Sequence, residues 1–377
     1  MRKRAFKTTV LATETLENRR LMAGDISYDS ANKVLTVTGH QYNDQVEVRF
    51  VGNDVKVDLK TQRSNGTFDN RDRTRRISDV QRIVILGQSG NDTANIVQST
   101  LNSGVSLSNI KIEFRGAAGN DVFTNGSVAK SDAFGGDGND RLQGGSAVDR
   151  LFGEAGNDIL NGGDSADELD GGLGDDTMNG QNGDDVLNGQ AGNDLLYGEN
   201  GNDVINGQSG NDRLFGSAGS DTLSGGDGTD TLYGGSENDS LRGDAGDDYI
   251  SGEAGNDLIW GGIGNDTLLG DLGIDIIQGE DGNDFISGGQ GNDLILGGNG
   301  NDTLRGDAGE DQLYGDAGND FLDGGFDYQL DYLVGGTGND TFESKFVRKL
   351  SNGLEQLLEE DWVRDILTGD IIKKRKV

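Results

Sequence analysis

The sequence contains no cysteine, no proline and one histidine, His40, among 377 residues. Without cysteine there is no disulfide framework and no thiolate zinc site. A lone histidine excludes centres built from two or three imidazoles. Apolar residues are sparse, at 32%, and no apolar run is long enough to span a membrane as a helix. Positive charge is short as well: 32 Lys and Arg stand against 66 Asp and Glu, for a net charge of −34. Glycine is in excess, at 65 residues, far above the usual ~7%. Collagen does not account for it, since the triple helix needs Gly at every third position and abundant Pro.

The acid is concentrated in one place. Residues 1–24 carry 6 basic and 2 acidic side chains, residues 25–115 carry 12 and 11, and residues 344–377 carry 8 and 6. Residues 116–343 carry 6 basic and 47 acidic side chains, a net −41. A field of that sign repels nucleic acid and anionic membrane surfaces and attracts cations. These four segments are read as a targeting-like N-terminus, a β-rich region, a repeat array and a C-terminal cap with a basic tail.

Within 116–343 the order of residues argues against a disordered acidic tract. From Asp140 to Asp320 an aspartate recurs every nine residues without a slip, giving 21 units in register. Asp331 resumes the pattern after a two-residue insertion around 326–329, and Asp340 follows. Two positions after each Asp stands an apolar residue (Leu142, Leu151, Leu160, Met178, Ile205, Leu322), and four after it a Gly. The unit reads G-[G/D/E/Q/N/S]-x-G-[N/D]-D-x-U-x, with U apolar. Gly and Asn tolerate positive φ, so six residues predict a turn. The remaining x-U-x predicts a three-residue strand that is unstable alone and must stack. If each unit reverses the chain, two units make a coil of 18 residues and unit n packs on unit n+2, burying U between two facing sheets.

Stacking also puts Asp176 near Asp194, Asp212 and Asp230 along one edge. Such a like-charge ladder needs neutralising. Carboxylates and turn carbonyls are the hard oxygen donors that calcium takes at 2.3–2.6 Å, whereas magnesium keeps its water and an octahedral shell. Bridging n to n+2 allows at most 19 sites, whose charge would nearly cancel that of the segment.

Stretches such as 288–296 (GGQGNDLIL) and 297–305 (GGNGNDTLR) resemble the nonapeptide of RTX, or haemolysin-type, calcium-binding proteins at every fixed position. The resemblance implies an all-β fold: a right-handed parallel β-roll with many calcium ions between successive turns, in a protein that is typically exported. Its sixth-position aspartates and backbone carbonyls would be the ligands. In this sequence those aspartates are Asp140, Asp158, Asp176, Asp185, Asp194, Asp203, Asp212, Asp221, Asp230, Asp239, Asp248, Asp257, Asp266, Asp275, Asp284, Asp293, Asp302, Asp311, Asp320 and Asp340. Some units depart from the pattern. Ala147 and Val148 precede Asp149, Ser165 and Ala166 precede Asp167, and Glu237 replaces a Gly. Positive φ is costly for such residues, so weak or empty sites are expected there. Acids at the second position, such as Asp244, Glu253 and Glu280, either add a ligand oxygen or face solvent.

Strands are expected in 25–115 at 34–38, 46–51, 55–59, 83–86 and 105–114, forming an N-terminal cap or the first irregular coils. Gly90-Asn-Asp92 and Gly119-Asn-Asp121 look like widely spaced early versions of the calcium turn. The basic run Arg71, Arg73, Arg75 and Arg76 is read as a solvated loop or an anionic-glycan contact. Leu16-Glu-Asn-Arg-Arg-Leu-Met-Ala23 resembles the LEPRxLL segment near the start of some large bacterial extracellular proteins, with Asn18 in place of Pro and Met22 in place of Leu. Leu354, Leu357, Leu358, Trp362, Ile366 and Leu367 fall at helical spacing and predict a short C-terminal capping helix.

No H-E-x-x-H, G-x-S-x-G, P-loop or dinucleotide fingerprint is present. The expectation is a secreted, non-catalytic calcium-binding module of structural or adhesive role. Alternatives are an accessory module of a polysaccharide-modifying enzyme, or a fragment of a haemolysin-type toxin. Tyr197, Phe215 and Tyr233 should form one external aromatic column, and Leu258, Trp260, Ile276, Leu294 and Leu296 an apolar cluster opposite. Such patches would meet an extracellular polysaccharide or another protein.

Overall fold

The computed structural model describes residues 25–62, 67–325, 329, 331–344, 347–349, 355–357, 362–364 and 371–374. Two long sheets face each other and the chain alternates between them unit by unit. Each repeat strand pairs in parallel with the strand 18 residues on: Ile159–Asp164 with Thr177–Asn182, and Glu168–Leu173 with Val186–Ala191. One sheet has 17 strands, and the other is built from 18. The fold is thus an all-β parallel solenoid. Among the described residues the helical content is one 3-10 turn, Ile77–Asp79, and no helix is long and apolar enough to cross a membrane.

From Arg150–Ala155 to Gln312–Ala317 the repeat strands are six residues long, not three. Thr222–Asp227 covers the last three positions of one unit and the first three of the next. Its ladder runs Thr222↔Ser240, Leu223↔Leu241 and Ser224↔Arg242, skips Gly225, and resumes at Gly226↔Asp244. The chain therefore turns its corner at the first-position glycine and keeps pairing beyond it. The apolar residue of each unit points inward. From Leu142 to Phe342 this column is at most 1% exposed, and Leu, Ile and Met stack on their counterparts one coil away. Position 2, just past the corner, is left-handed in every unit from Gly136 to Gly336 except at Gly145: Gly262 has φ 121°, while Asp244, Glu253 and Glu280 sit at 75°, 68° and 72°. Ser165 and Glu237 also accept positive φ, at 78° and 73°. Ala147 does not, and its turn is built differently.

Residues 25–118 continue the same two sheets with longer strands. Val34–Thr38 pairs in parallel with Arg82–Ser89, which pairs with Lys111–Ala118, which pairs with Lys130–Asp137. On the other side Asp44–Gly52 lies beside Thr93–Leu101 and, antiparallel, beside Asp54–Gln62. The last strand expected here begins at Lys111 rather than Val105, after a turn closed by the Ile110 N–H on the Leu107 carbonyl. The arginine run is not a loop. Phe68–Arg76 is the terminal strand of its sheet, with Arg71, Arg73 and Arg75 opposite the buried Leu59, Val57 and Val55. Charge on the core-side positions of an end strand blocks further pairing. Residues 1–24, including the LEPRxLL-like segment, lie outside the described residues.

At the other end the helix is replaced by strands. Trp362–Arg364 adds in parallel to Tyr332–Val334, and Ile371–Lys374 adds to Thr341–Ser344. Val347–Lys349 and Glu355–Leu357 form an antiparallel pair. Helical spacing lost because an open solenoid end presents a row of unpaired N–H and C=O groups, which an added strand satisfies directly. The rest of the expected helix lies outside the described residues.

On the outer face Tyr197, Phe215 and Tyr233 do form a column, with ring centroids 4.9 and 5.2 Å apart and nearly parallel planes. The ring faces cover one another, so the column binds successive coils together, at ~0.5–1.5 kcal/mol per pair. Opposite, Leu258, Ile276 and Leu294 are in register, but Gln278 separates Trp260 from Leu296.

Candidate metal centre

The turn between strands is three residues, most often Gly, then Asn or Asp, then the repeat Asp. It sits where each coil crosses from one sheet to the other. The repeat aspartates are buried, none more than 3% exposed between Asp140 and Asp320. Each Oδ1 accepts the backbone N–H of the aspartate one coil earlier. Thus the Asp140 N–H donates to Asp158 at 2.6 Å, Asp212 to Asp230 at 2.7 Å and Asp221 to Asp239 at 2.8 Å. The rungs form two ladders, one per edge. One carries Asp140, Asp158, Asp176, Asp194, Asp212, Asp230, Asp248, Asp266, Asp284, Asp302, Asp320 and Asp340. The other carries Asp167, Asp185, Asp203, Asp221, Asp239, Asp257, Asp275, Asp293 and Asp311. Asp331 and Asp340 keep their rungs across the insertion, 20 residues from Asp311 and Asp320.

The second oxygen is different. Oδ2 of Asp158, Asp176, Asp230, Asp257, Asp284 and the other rungs from Asp140 to Asp302, Asp149 excepted, is buried without a hydrogen-bond partner. It points over the first-position glycine of its own unit. A methyl group placed on Gly279 would lie 2.2 Å from Asp284 Oδ2 and 2.4 Å from the Gly297 carbonyl oxygen. Only hydrogen fits, and a carboxylate oxygen and a main-chain oxygen from the next coil are crowded together. Among the described residues no group of three or more His, Cys, Asp or Glu side chains gathers as a metal cluster. Carboxylates therefore come to each point sparsely, and main-chain oxygens must complete any shell. A buried anionic oxygen with carbonyls alongside is a hard-oxygen site of the kind calcium takes.

Residues 134–328 and 330–343 match the RTX calcium-binding nonapeptide repeat. The chain belongs to the RTX calcium-binding family. No curated protein matches the sequence. Calcium is therefore the ion, and the RTX roll takes it up many times along its length.

The electrostatics fit a roll that needs cations. Burial raises the carboxyl pKa to about 7 at Asp140, Asp176 and Asp248 and to about 8 at Asp167, with like-charged neighbours adding to it. At Asp158 and Asp185 burial carries it to about 6. The N–H from the preceding rung opposes the shift without cancelling it. Unfolded Asp titrates near ~3.9, so the metal-free roll binds more protons than the unfolded chain between that value and about 8. Its stability is greatest in acid and is lost as pH rises through the folded-state values. In metal-free buffer, strand signal at about pH 5 should exceed that at about pH 8. Circular dichroism across that range checks the sign, and a rise toward alkaline pH would contradict it.

Asp149 departs from the rule. Its Oδ2 accepts the Gly145 N–H at 2.6 Å, and its Oδ1 accepts the Ser131 hydroxyl at 2.8 Å. Here, beside Ala147 and Val148, protein donors take the place left open elsewhere. Asp167, after Ser165 and Ala166, keeps an open Oδ2 like the regular rungs.

The first ladder extends upstream through the two early turns expected at Asp121 and Asp92 and, beyond the sequence reading, on to Asp44, at spacings of 19, 29 and 48 residues. The Asn-Asp pairs at 43–44, 91–92 and 120–121 carried the signal, but insertions hide Asp44 from a fixed-period search. The fifth-position asparagines form a second, outer ladder of opposite sense. Asn157 N–H donates to Asn139 Oδ1 at 3.1 Å, and Asn283 N–H to Asn265 Oδ1 at 3.1 Å. No Asn is among the described left-handed residues, so Asn serves the ladder rather than positive φ.

Proposed function

We propose that the chain is a secreted, non-catalytic module of structural or adhesive role, whose repeats fold when they bind calcium outside the cell. The observation that carries this is the buried second oxygen, repeated rung after rung. The ligands are the aspartates named above, from Asp140 through Asp340; along the rungs up to Asp302 each gives its open Oδ2 while Oδ1 holds the neighbouring coil. The first-position glycines give the room for it. Calcium would supply the positive charge and the oxygen coordination that these carboxylates otherwise lack. Each ligand aspartate is also a rung that joins two coils, which ties folding to occupancy. Extracellular levels of calcium suit a switch of this kind. The buried repeat aspartates of the roll are committed to the ladders, which supports a non-catalytic role.

Counting bound ions tests the assignment. Asp230→Asn keeps an oxygen for the Asp212 N–H but removes the charge, and it should lower the calcium content by at least one ion per chain. Asp149→Asn should lower it by none, because both oxygens of Asp149 already have donors. Equal counts for wild type and Asp230→Asn, by metal analysis after equilibrium dialysis, would refute the ligand assignment.

A further inference from the structure

One face of the molecule opposes the charge of the rest. Arg82, Lys111 and Lys130 are register partners on three neighbouring parallel strands, so their bases repeat every ~4.8 Å along the outer surface. Beneath them lie two nearly buried acids, each held between two bases. Glu113 is paired with Arg82 and, at 2.8 Å, with Arg115. Asp132 is paired with Lys111 at 2.5 Å and Arg150 at 2.7 Å. Five bases against these two acids and Glu168, the register partner of Arg150, leave a positive face. Lys130 is exposed and has no ion pair among the described residues. Lys111, Lys130 and Arg150 line an open groove of about 270 Å³ with Ser108 and Asn109. Alongside runs an apolar shoulder, Phe134 stacked on Phe152 at 4.9 Å with Arg115 over the Phe134 ring.

We propose that this face binds an extended acidic polysaccharide, with successive acidic groups meeting Arg82, Lys111 and Lys130. A step of one strand is close to the length of one sugar ring in an extended chain, so one acid per sugar matches one base per strand. Hydroxyls of Ser108 and the sugars, and the Phe134–Phe152 shoulder, suit a glycan rather than a bare polyphosphate. Nucleic acid carries one charge per ~1.7 Å of duplex, far denser than one base per strand. A polymer with sparser charge approaches a local cationic face more easily. The inference rests on the adhesive reading of the module, while calcium-driven folding stands with or without it.

The test uses the full calcium-loaded chain in biolayer interferometry against immobilised oligogalacturonate, heparin, neutral dextran and duplex DNA. At least one acidic glycan should bind at low salt and release as salt rises, while dextran and DNA do not; carboxylate and sulfate are told apart by which polymer binds. Lys130→Glu combined with Lys111→Gln should weaken binding by about tenfold or more, and Lys130→Gln alone should weaken it less. Arg242→Gln, on a distant coil, should leave it unchanged. Failure of both acidic glycans to bind, wild-type affinity in the double variant, or equal binding of DNA would overturn the proposal. A calcium titration by circular dichroism on each sample separates this failure from failure of the calcium reading. If the double variant does not fold, Lys130→Gln decides the outcome.

Discussion

Removal of calcium at about pH 7.5, where the raised carboxyls are largely ionised, should cost the chain most of its strand signal, and restoring calcium should return it cooperatively. The expectation follows from the rungs. Each repeat places a carboxylate at 0–3% exposure with one oxygen hydrogen-bonded and, along most of both ladders, the other unpartnered. A buried unpaired charge costs several kcal/mol, and the inward column of one Leu or Ile per unit gives only ~1.5–3 kcal/mol each. Repeated along the array, the unneutralised rungs outweigh the core. A bound ion adds RT ln(1 + [L]/Kd), ~2.7 kcal/mol at a hundredfold excess over Kd, at every site. Residues 25–115 differ: their charges nearly balance, their strands run to nine residues, and they bury Phe50 and Phe114. A residual strand signal should therefore persist without calcium. A spectrum indifferent to calcium removal would refute the mechanism.

A single methyl group at the corner should be strongly damaging to the roll. Gly279→Ala places carbon 2.2 Å from Asp284 Oδ2 and 2.4 Å from the Gly297 carbonyl. The carboxylate must leave or the coils must part. Either should cost ~2–4 kcal/mol and at least one bound ion. In a stack where each coil contacts only its neighbours, the damage should divide the array into segments that melt separately. Glu280→Ala, one residue on, provides the comparison. Its backbone is already left-handed at φ 72° with a side chain in place, and Glu280 meets Arg242 only at 3.7 Å on the surface. It should change stability by less than ~1 kcal/mol. Calcium-loaded thermal melting distinguishes them, and equal melting would show that the corner has room the structure does not give it.

The arrangement of the repeat was legible because its signal is strictly local and periodic. One inward residue per nine and a turn rich in Gly require coils of two units, and with them the burial of Leu142 through Phe342. The positions of the aspartates on two edges followed as well, and their charge demanded a cation. Three features were not legible, each because it depends on what stands one coil away. Strand length was one, since Gly225 and Gly226 read as turn until the neighbouring coil pairs with them. The separate tasks of the two carboxylate oxygens were another, because Oδ1 is claimed by an N–H 18 residues distant and Oδ2 is aimed by a corner glycine. The donors to Asp149 were the third: Ala147 and Val148 marked its turn as irregular, but Gly145 and Ser131 satisfy it only once the first coils are in place.

Composition alone determined that this chain has much glycine, no proline and more acid than a compact fold can carry by itself. Glycine is required where corners admit no Cβ, and acid is required where ions sit. The tertiary structure decided the ends. At the C-terminus, unpaired sheet edges took strands from a segment whose spacing favoured helix, and at the N-terminus an arginine run became an end strand that closes the core. Periodicity constrains the middle of a solenoid because every coil sees the same neighbours. The ends see different ones, and there the open edge, not the local sequence, selects the structure.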